Sequence, residues 1–162
     1  MRNKKHQSLF IGEAGVHRVL SELYLKGINA SQSGIDIGED IFIVGKTTKK
    51  GAQIKSAHLS KKHNHYHFAF RGNYFDSYAR RNLKGKHKKI SYSLNRLKEV
   101  AFLILWCIND NIFLIIPTNV EELNGKNYYQ ITWRPKNRRQ QNKDSKYDKF
   151  INAWNLIEKV IK

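Results

Sequence analysis

Apolar and polar residues alternate between Asp40 and Lys55 in the pattern of a β-hairpin. The apolar run Ile41 to Val44 follows Asp40, a polar turn extends from Gly45 to Gly51, and Ala-Gln-Ile-Lys forms the returning strand. Gln53 and Lys55 are two positions apart in that strand, so we expect their side chains to point to the same face. The hairpin would then present an oxygen donor and an ammonium group together.

Apolar residues recur at helical spacing near the N-terminus and predict a first helix of about five turns. They are Leu9, Val16, Val19, Leu20, Leu23 and Leu25. Ser8 is positioned to cap the start of this helix, and Gly27 to end it in the left-handed conformation. A short strand at Ile28 to Ala30 and a polar loop then lead to Asp40.

Later apolar patterns predict four more strands. Two segments alternate as half-buried strands do: His63 to Phe70, with Tyr66, Phe68 and Phe70 on one face, and Tyr128 to Trp133. Two others are continuously apolar, Ala101 to Ile108 and Ile112 to Ile116, which indicates central strands joined by a tight turn at residues 109–111.

A terminal helix is predicted from the stripe formed by Phe150, Trp154, Ile157 and Ile161. The order of helix, strands and helix predicts an α/β fold in which helices flank a mixed central β-sheet. The length of 162 residues, 40% of them hydrophobic, suits a single domain over residues 1–162.

The charge of the chain indicates a polyanionic partner. Thirty Lys and Arg residues against thirteen Asp and Glu give a formal net charge of +17. No apolar stretch approaches about 18 residues and the N-terminus lacks a signal-peptide core, so we expect no membrane attachment. Cys107 lies in an apolar run and is read as a small buried residue, which suits a reducing, cytoplasmic location, nucleoid-associated when DNA is bound.

Basic residues concentrate in two predicted loops, near residues 71–96 and 134–146, and beside the hairpin. Aromatic residues such as Tyr74 and Tyr78 are interleaved with them, as in surfaces that contact nucleic acid. The predicted DNA-binding residues are Lys49, Lys50, Lys61, Lys62, Arg71, Arg80, Arg81, Lys84, Lys86, Lys88, Lys89, Arg134, Lys136, Arg138 and Arg139. A zinc site on the nearby histidines is disfavoured, since His63 and His67 would lie about 13 Å apart along a strand.

A hard metal ion could be bound at the hairpin edge. Glu13 falls on the apolar stripe of the first helix, where it is either a rim residue paired with a lysine or a carboxylate pointing across to the hairpin. In the second case the oxygen ligands would be Asp40, the Gln53 amide, the Ile54 carbonyl and Glu13. Phosphodiester cleavage needs such charge stabilisation, and Mg²⁺, or Mn²⁺ in its place, suits oxygen donors. Lys55 would then orient the attacking water.

Asp36 competes with Asp40 for the anchoring position. Asp40 is favoured because Ile41 begins a strand directly after it, whereas Asp36 is followed by Gly38, a poor start for a strand. The loop could also supply both carboxylates.

These residues resemble the PD-(D/E)XK nuclease superfamily. The resemblance lies in Glu13, in Glu-Asp40-Ile-Phe-Ile-Val and in Gln53-Ile-Lys55, and it covers roughly residues 11–56. The apolar strands ending at Pro117 and the helix around Trp154 resemble the branch that includes group I intron homing endonucleases. Two departures are Glu39, where the family usually has Pro, and Gln53, which replaces an acidic residue and removes one negative charge. Glutamine variants of the motif are familiar in the homing branch.

The resemblance implies a PD-(D/E)XK, restriction-endonuclease-like core and a magnesium-dependent, site-specific endonuclease acting on double-stranded DNA. Holliday-junction resolvases and restriction endonucleases are the close alternatives. Cutting both strands with one site per subunit implies a homodimer or homotetramer. A non-catalytic nucleic-acid-binding module on the same scaffold explains the charge equally well, and a ribosome-associated protein explains the charge alone.

Overall fold

The computed structural model describes residues 4–34, 39–70, 100–123, 130–138 and 144–162. Two α-helices and seven β-strands lie in these ranges: α1 (Lys4–Leu25), β1 (Asn29–Gln32), β2 (Ile41–Val44), β3 (Lys49–Ala57), β4 (Tyr66–Ala69), β5 (Phe102–Cys107), β6 (Ile112–Pro117), β7 (Gln130–Trp133) and α2 (Asn155–Ile161). Within the described ranges, no helix is long and apolar enough to cross a membrane.

Five strands form one mixed sheet in the order β1-β2-β3-β5-β6, and β4 and β7 form a separate two-stranded ribbon. The sheet is antiparallel except where β3 pairs with β5 in parallel. A parallel pair needs a long connection, and here the chain makes the β4 strand within it before returning to β5. The predicted mixed α/β fold is confirmed.

Two apolar layers pack on opposite faces of this sheet. On the helix face, residues of α1 and α2 such as Leu23 and Ile157 pack against Ile43, Ile54 and Ile104. On the ribbon face, the β4–β7 pair covers the sheet together with Tyr147 and Phe150. Both described helices therefore lie on the same face, so the predicted flanking by helices holds for that face only in the described part of the chain.

Helix α1 is longer at its start than the sequence pattern predicts. It begins at Lys4, so Ser8 lies within the helix and the prediction that Ser8 caps it is wrong. Its end is as predicted: Gly27 has φ +70°, and the amide of Ile28 donates to the carbonyl of Leu23 at 2.9 Å. Glycine adopts this left-handed conformation without a steric cost.

The predicted hairpin is confirmed, with a shorter turn. Ile41 pairs with Ala52 and Val44 with Lys49, so residues 49–51 belong to β3 and the turn spans only residues 45–48. The predicted strand at His63 to Phe70 is likewise shorter, but Tyr66, Phe68 and Phe70 are all buried as expected. Cys107 is fully buried, and burial raises the pKa of its thiol, which confirms its reading as a packing residue.

The C-terminal region corrects two predictions. Strand β6 is not central, because it ends the described strand order, although its residues 113–116 are buried. Its outer edge is occupied by Ile151 and Asn152: the Asn152 amide donates to the Phe113 carbonyl at 2.7 Å, and the Phe113 amide donates to Asn152 Oδ1 at 3.0 Å.

The terminal helix is shorter than its apolar stripe predicts. It begins at Asn155, after a left-handed Asn152 at φ +48° interrupts the helical spacing. Phe150 consequently packs on the ribbon face, whereas Trp154 and Ile157 pack on the helix face. One stripe in the sequence thus serves two separate apolar layers.

Candidate active site

Asp40 lies immediately before β2 and is hydrogen-bonded to the middle of β3. Its amide donates to the Ala52 carbonyl at 3.0 Å, and its carbonyl accepts the Ser33 amide at 2.9 Å. Its side-chain Oδ2 accepts the amide of Ile54 at 2.6 Å. A carboxylate that accepts a backbone N–H is oriented by that bond, so Asp40 is held beside the residue that separates Gln53 from Lys55.

Strand β3 extends past the start of β2 at this point. Residues 53–57 pair with β5 on one side, while the pairing with β2 ends at Ala52. Since the N–H and C=O of a strand residue point to the same side, the Ile54 carbonyl faces the side from which Asp40 approaches. The Asp40 carboxylate and the Ile54 carbonyl are thereby directed toward the same place, beside residues 53–55, where β3 continues beyond its pairing with β2. We call this place the step.

Gln53 and Lys55 share the ribbon face of β3, as the alternation predicts. Their register partners on β5 are Leu103 and Leu105, both fully buried. Gln53 is only 6% exposed, and no other polar or charged residue in the described part of the chain is as deeply buried. Lys55 has no ion-pair partner among the described residues, so its ammonium lies on this face beside the neutral amide of Gln53. The face thereby presents a neutral oxygen donor and a positive charge two residues apart.

Glu13 reaches the same end of the sheet from the helix face. Its Oε1 accepts a hydrogen bond from Gln32 Nε2 at 2.7 Å and lies 3.6 Å from His17 Nε2. Gln32 pairs with Ile41, the residue that follows Asp40. The hydrogen bond between Glu13 and Gln32 therefore lies one residue along the strand from the step. Its side chain is 54% exposed, and its described partners are Gln32 and His17 rather than a lysine.

The structure thus brings together Asp40, Gln53, the Ile54 carbonyl and Lys55, and places Glu13 at the same end of the sheet on the other face. Asp36 lies outside the described residues. Within the described ranges, no three His, Cys, Asp or Glu side chains converge as metal ligands. A metal ion here would therefore depend on amide and carbonyl oxygens as well as carboxylates, a donor set that fits Mg²⁺.

Two buried oxygen atoms in neighbouring residues have no hydrogen-bond partner in the described chain: Glu39 Oε2, directly before Asp40, and Ser56 Oγ, which faces Gly15 of α1. Sequence reasoning treated Glu39 only as a missing proline. Its packing depends on the path of the loop that enters β2, and no spacing rule reveals that path.

Several of the described basic residues interact with other side chains of the protein. Arg138 makes a bidentate ion pair with Asp110, at 2.9 and 3.1 Å, and Lys136 pairs with Asp144 at 3.1 Å. Lys49 lies over the Phe42 ring, with its ammonium 3.7 Å from the ring centroid.

The other predicted DNA contacts are more accessible or lie beyond the described ranges. Lys50 lines an open cavity of about 450 Å³, and Lys61 and Lys62 are exposed in the turn before β4. Arg134 donates to the His63 carbonyl at 2.9 Å. The residues outside the described ranges are Arg71, Arg80, Arg81, Lys84, Lys86, Lys88, Lys89 and Arg139.

Two stacked histidine rings lie near Arg134, in the turn before β4. The rings of His63 and His65 stack at 5.4 Å between centroids with 13° between their planes. Desolvation, and then the proximity of His63, Arg134 and His67, lower the pKa of His65. Protonation of His65 is therefore disfavoured, chiefly because burial penalises the charged imidazolium.

Comparisons with known proteins bear on the fold. No family model matches the chain, and no curated protein matches it in sequence. Among solved structures, the chain is similar to a bacterial homing endonuclease, I-Ssp6803I, with a TM-score of 0.72 and 17% identity over 94% of each chain. At this identity the likeness establishes the shared fold over nearly the whole chain.

Proposed function

We propose that this chain is a magnesium-dependent, site-specific endonuclease of the homing type that hydrolyses double-stranded DNA. The observation that carries the proposal is the Asp40 carboxylate, fastened at 2.6 Å to the Ile54 amide between Gln53 and Lys55. The net charge of +17 supports a nucleic-acid substrate, and the fold is one that a bacterial homing endonuclease also has.

The residues at the step would have different roles in the reaction. Asp40, the Gln53 amide oxygen and the Ile54 carbonyl would hold the metal ion, with Glu13 as a further ligand from the helix face. The bound ion would neutralise charge on the phosphate and lower the pKa of a bound water. Lys55 has no described anionic partner, so its ammonium is available to orient that water and to stabilise charge on the phosphate oxygens. The buried setting of Gln53 strengthens these interactions, because water screens them less.

Substrate binding would use the exposed basic residues rather than the paired ones. Lys50, Lys61, Lys62 and Arg134 remain candidates for phosphate contact, as do the basic residues outside the described ranges. Arg138 is engaged with Asp110 and is better explained as part of the scaffold. Cleavage of both strands with one site per chain would require a homodimer or homotetramer.

The direct test is cleavage of supercoiled DNA, linear DNA and four-way junctions, including DNA from the protein's own genomic neighbourhood, with and without Mg²⁺. The Lys55→Ala and Asp40→Asn proteins should bind this DNA but not cut it, while Lys159→Ala, which removes an exposed lysine of α2, should cut normally. Discrete metal-dependent fragments with wild type would support the proposal. Normal turnover by Lys55→Ala would contradict the site, and cleavage confined to four-way junctions would indicate a resolvase.

A non-catalytic DNA-binding module is the second candidate. It is favoured by the neutral Gln53 at a ligand position and by the lack of three converging acidic or histidine ligands in the described ranges. Such a module would bind DNA with a strong salt dependence and give no metal-dependent fragments from any of these substrates.

A further inference from the structure

We infer that Glu39 supplies the negative charge that Gln53 does not, and that it is a further metal ligand of the proposed site. The inference rests on the proposed function, because it concerns the same ion. Glu39 directly precedes Asp40 and stands where the family usually has proline. Glutamic acid at this position therefore adds a carboxylate beside the neutral amide of Gln53.

The position of Glu39 follows from its contact with Gly51. A Cβ placed on Gly51 would overlap Glu39 Cγ and lie 3.3 Å from Glu39 Oε1 and 3.4 Å from Glu39 Cβ. The Glu39 side chain therefore lies over Gly51, in the space that any other residue would fill. Glycine at position 51 is what allows this carboxylate to pack against β3.

Strand alternation places this carboxylate on the reactive face. Gly51, Gln53 and Lys55 are successive odd positions of β3, so a Cβ at Gly51 would point to the same face as the other two side chains. Continuing the β2–β3 register by one residue sets Asp40 opposite Gln53. Glu39 over Gly51 thus neighbours the Asp40–Gln53 pair from the ribbon face, the face that Glu13 does not occupy.

One polar atom on this face is buried without a partner. Glu39 Oε2 has no hydrogen-bond donor in the described chain, and the neighbouring Gln53 is 6% exposed. A buried carboxylate oxygen without a donor is costly, and a bound cation removes that cost. With Glu39 the ligand set contains two adjacent carboxylates, those of Glu39 and Asp40, whereas Glu13 is half exposed and accepts a hydrogen bond from Gln32.

The experiment measures Mn²⁺ binding without DNA, from the electron paramagnetic resonance signal of the free ion. The proteins are wild type, Asp40→Asn, Glu39→Gln, Gln53→Glu, the Glu39→Gln/Gln53→Glu double variant and, as a matched control on α2, Glu158→Gln. We expect Glu39→Gln to weaken Mn²⁺ binding about 10- to 100-fold, as loss of a coordinating or closely supporting carboxylate does. Glu158→Gln should bind like wild type, and Gln53→Glu should restore binding in the Glu39→Gln background.

Thermal melting separates this role from a structural one. Without metal, Glu39→Gln should melt at a temperature close to that of wild type, because Glu39 Oε2 makes no hydrogen bond in the described chain that the substitution could remove. Added Mn²⁺ should raise the melting temperature of wild type more than that of the variant.

The outcomes distinguish this inference from the proposed function. Wild-type Mn²⁺ affinity in Glu39→Gln, with binding lost in Asp40→Asn, would overturn the role of Glu39 and leave the nuclease proposal standing. Failure of Gln53→Glu to restore binding would overturn the charge compensation. Absence of Mn²⁺ binding by wild type, together with absence of cleavage, would overturn both.

Discussion

The contact between Gly15 of α1 and Ser56 of β3 yields a stability prediction that the structure makes quantitative. A Cβ added at Gly15 would overlap Ser56 Oγ, lie 3.2 Å from Ser56 Cβ and lie 3.7 Å from Ile54 Cγ2. The helix therefore cannot accept a side chain here without moving away from β3, or without displacing Ser56. Gly12, in the same helix, has no atom within 4 Å of its added Cβ.

Two opposing effects set the size of the change. Alanine stabilises a helix interior by up to about 1 kcal/mol relative to glycine. Overpacking a close contact costs about 1–3 kcal/mol. Gly15→Ala should therefore lower the free energy of unfolding by up to about 2 kcal/mol, which for a chain of this size lowers the melting temperature by up to roughly 8 °C. Gly12→Ala should raise stability, since only the helix term applies.

Ser56→Ala supplies the diagnostic partner. It removes the overlapping Oγ, which is buried and unpartnered in the described chain, so alone it should be neutral or stabilising. In the Ser56→Ala background, Gly15→Ala should lower the free energy of unfolding only slightly. The coupling energy between the two substitutions should then be about 1–2 kcal/mol, whereas independent sites are additive to within about 0.3–0.5 kcal/mol. Urea denaturation of the four proteins measures it. Additive effects, or a Gly15→Ala protein as stable as Gly12→Ala, would refute the close approach of α1 to β3.

Three other outcomes are expected. Asp110→Ala should lower the free energy of unfolding by about 2–3 kcal/mol in chemical denaturation, because Arg138 loses its bidentate partner; a loss below about 0.5 kcal/mol would place the pair among weak surface contacts. The pKa of His65 is lower in the folded protein than in the unfolded chain, so the unfolded chain binds the proton first as the pH falls. The free energy of unfolding should therefore decrease as the pH drops below about 6.5. His65→Gln should flatten that fall in melts across the range, and an unchanged profile would contradict it. Replacing Lys61 and Lys62 with alanine should reduce the salt slope of DNA binding by about two, whereas an equal slope would exclude phosphate contact.

Controls for these measurements come from the same chain. Lys136→Ala removes an exposed ion pair with Asp144 and should change stability by less than about 0.5 kcal/mol, as a contrast to Asp110→Ala. Lys159→Ala removes one charge from α2 and serves the DNA-binding series.

The arrangement of the candidate site was predictable where it depends on local periodicity. Asp40 directly before an apolar run, and Gln53 two residues from Lys55, fix a strand start and a shared face without any knowledge of tertiary contacts. The Gly27 helix end was predictable for the same reason, since left-handed backbone favours glycine.

What could not be predicted depends on long-range packing. The position of β6 at the end of the strand order is invisible in its apolar run, because Ile151 and Asn152 shield its edge and both its faces are covered. The burial of Glu39 over Gly51 depends on a loop path, and the division of Phe150 from Trp154 depends on a left-handed Asn152. In each case a distant segment, rather than a nearby sequence pattern, decides the environment.

The strand edge that Asn152 covers also has a consequence for synthesis. An apolar strand with open N–H and C=O groups can pair with another chain. Strand β6 is translated well before residues 151–162, and a sheet that forms during translation would carry an open edge until those residues emerge. The newly made protein is thus most prone to association with other nascent chains in that interval, and ribosome-bound chains ending before Ile151 should aggregate more readily than the full-length chain.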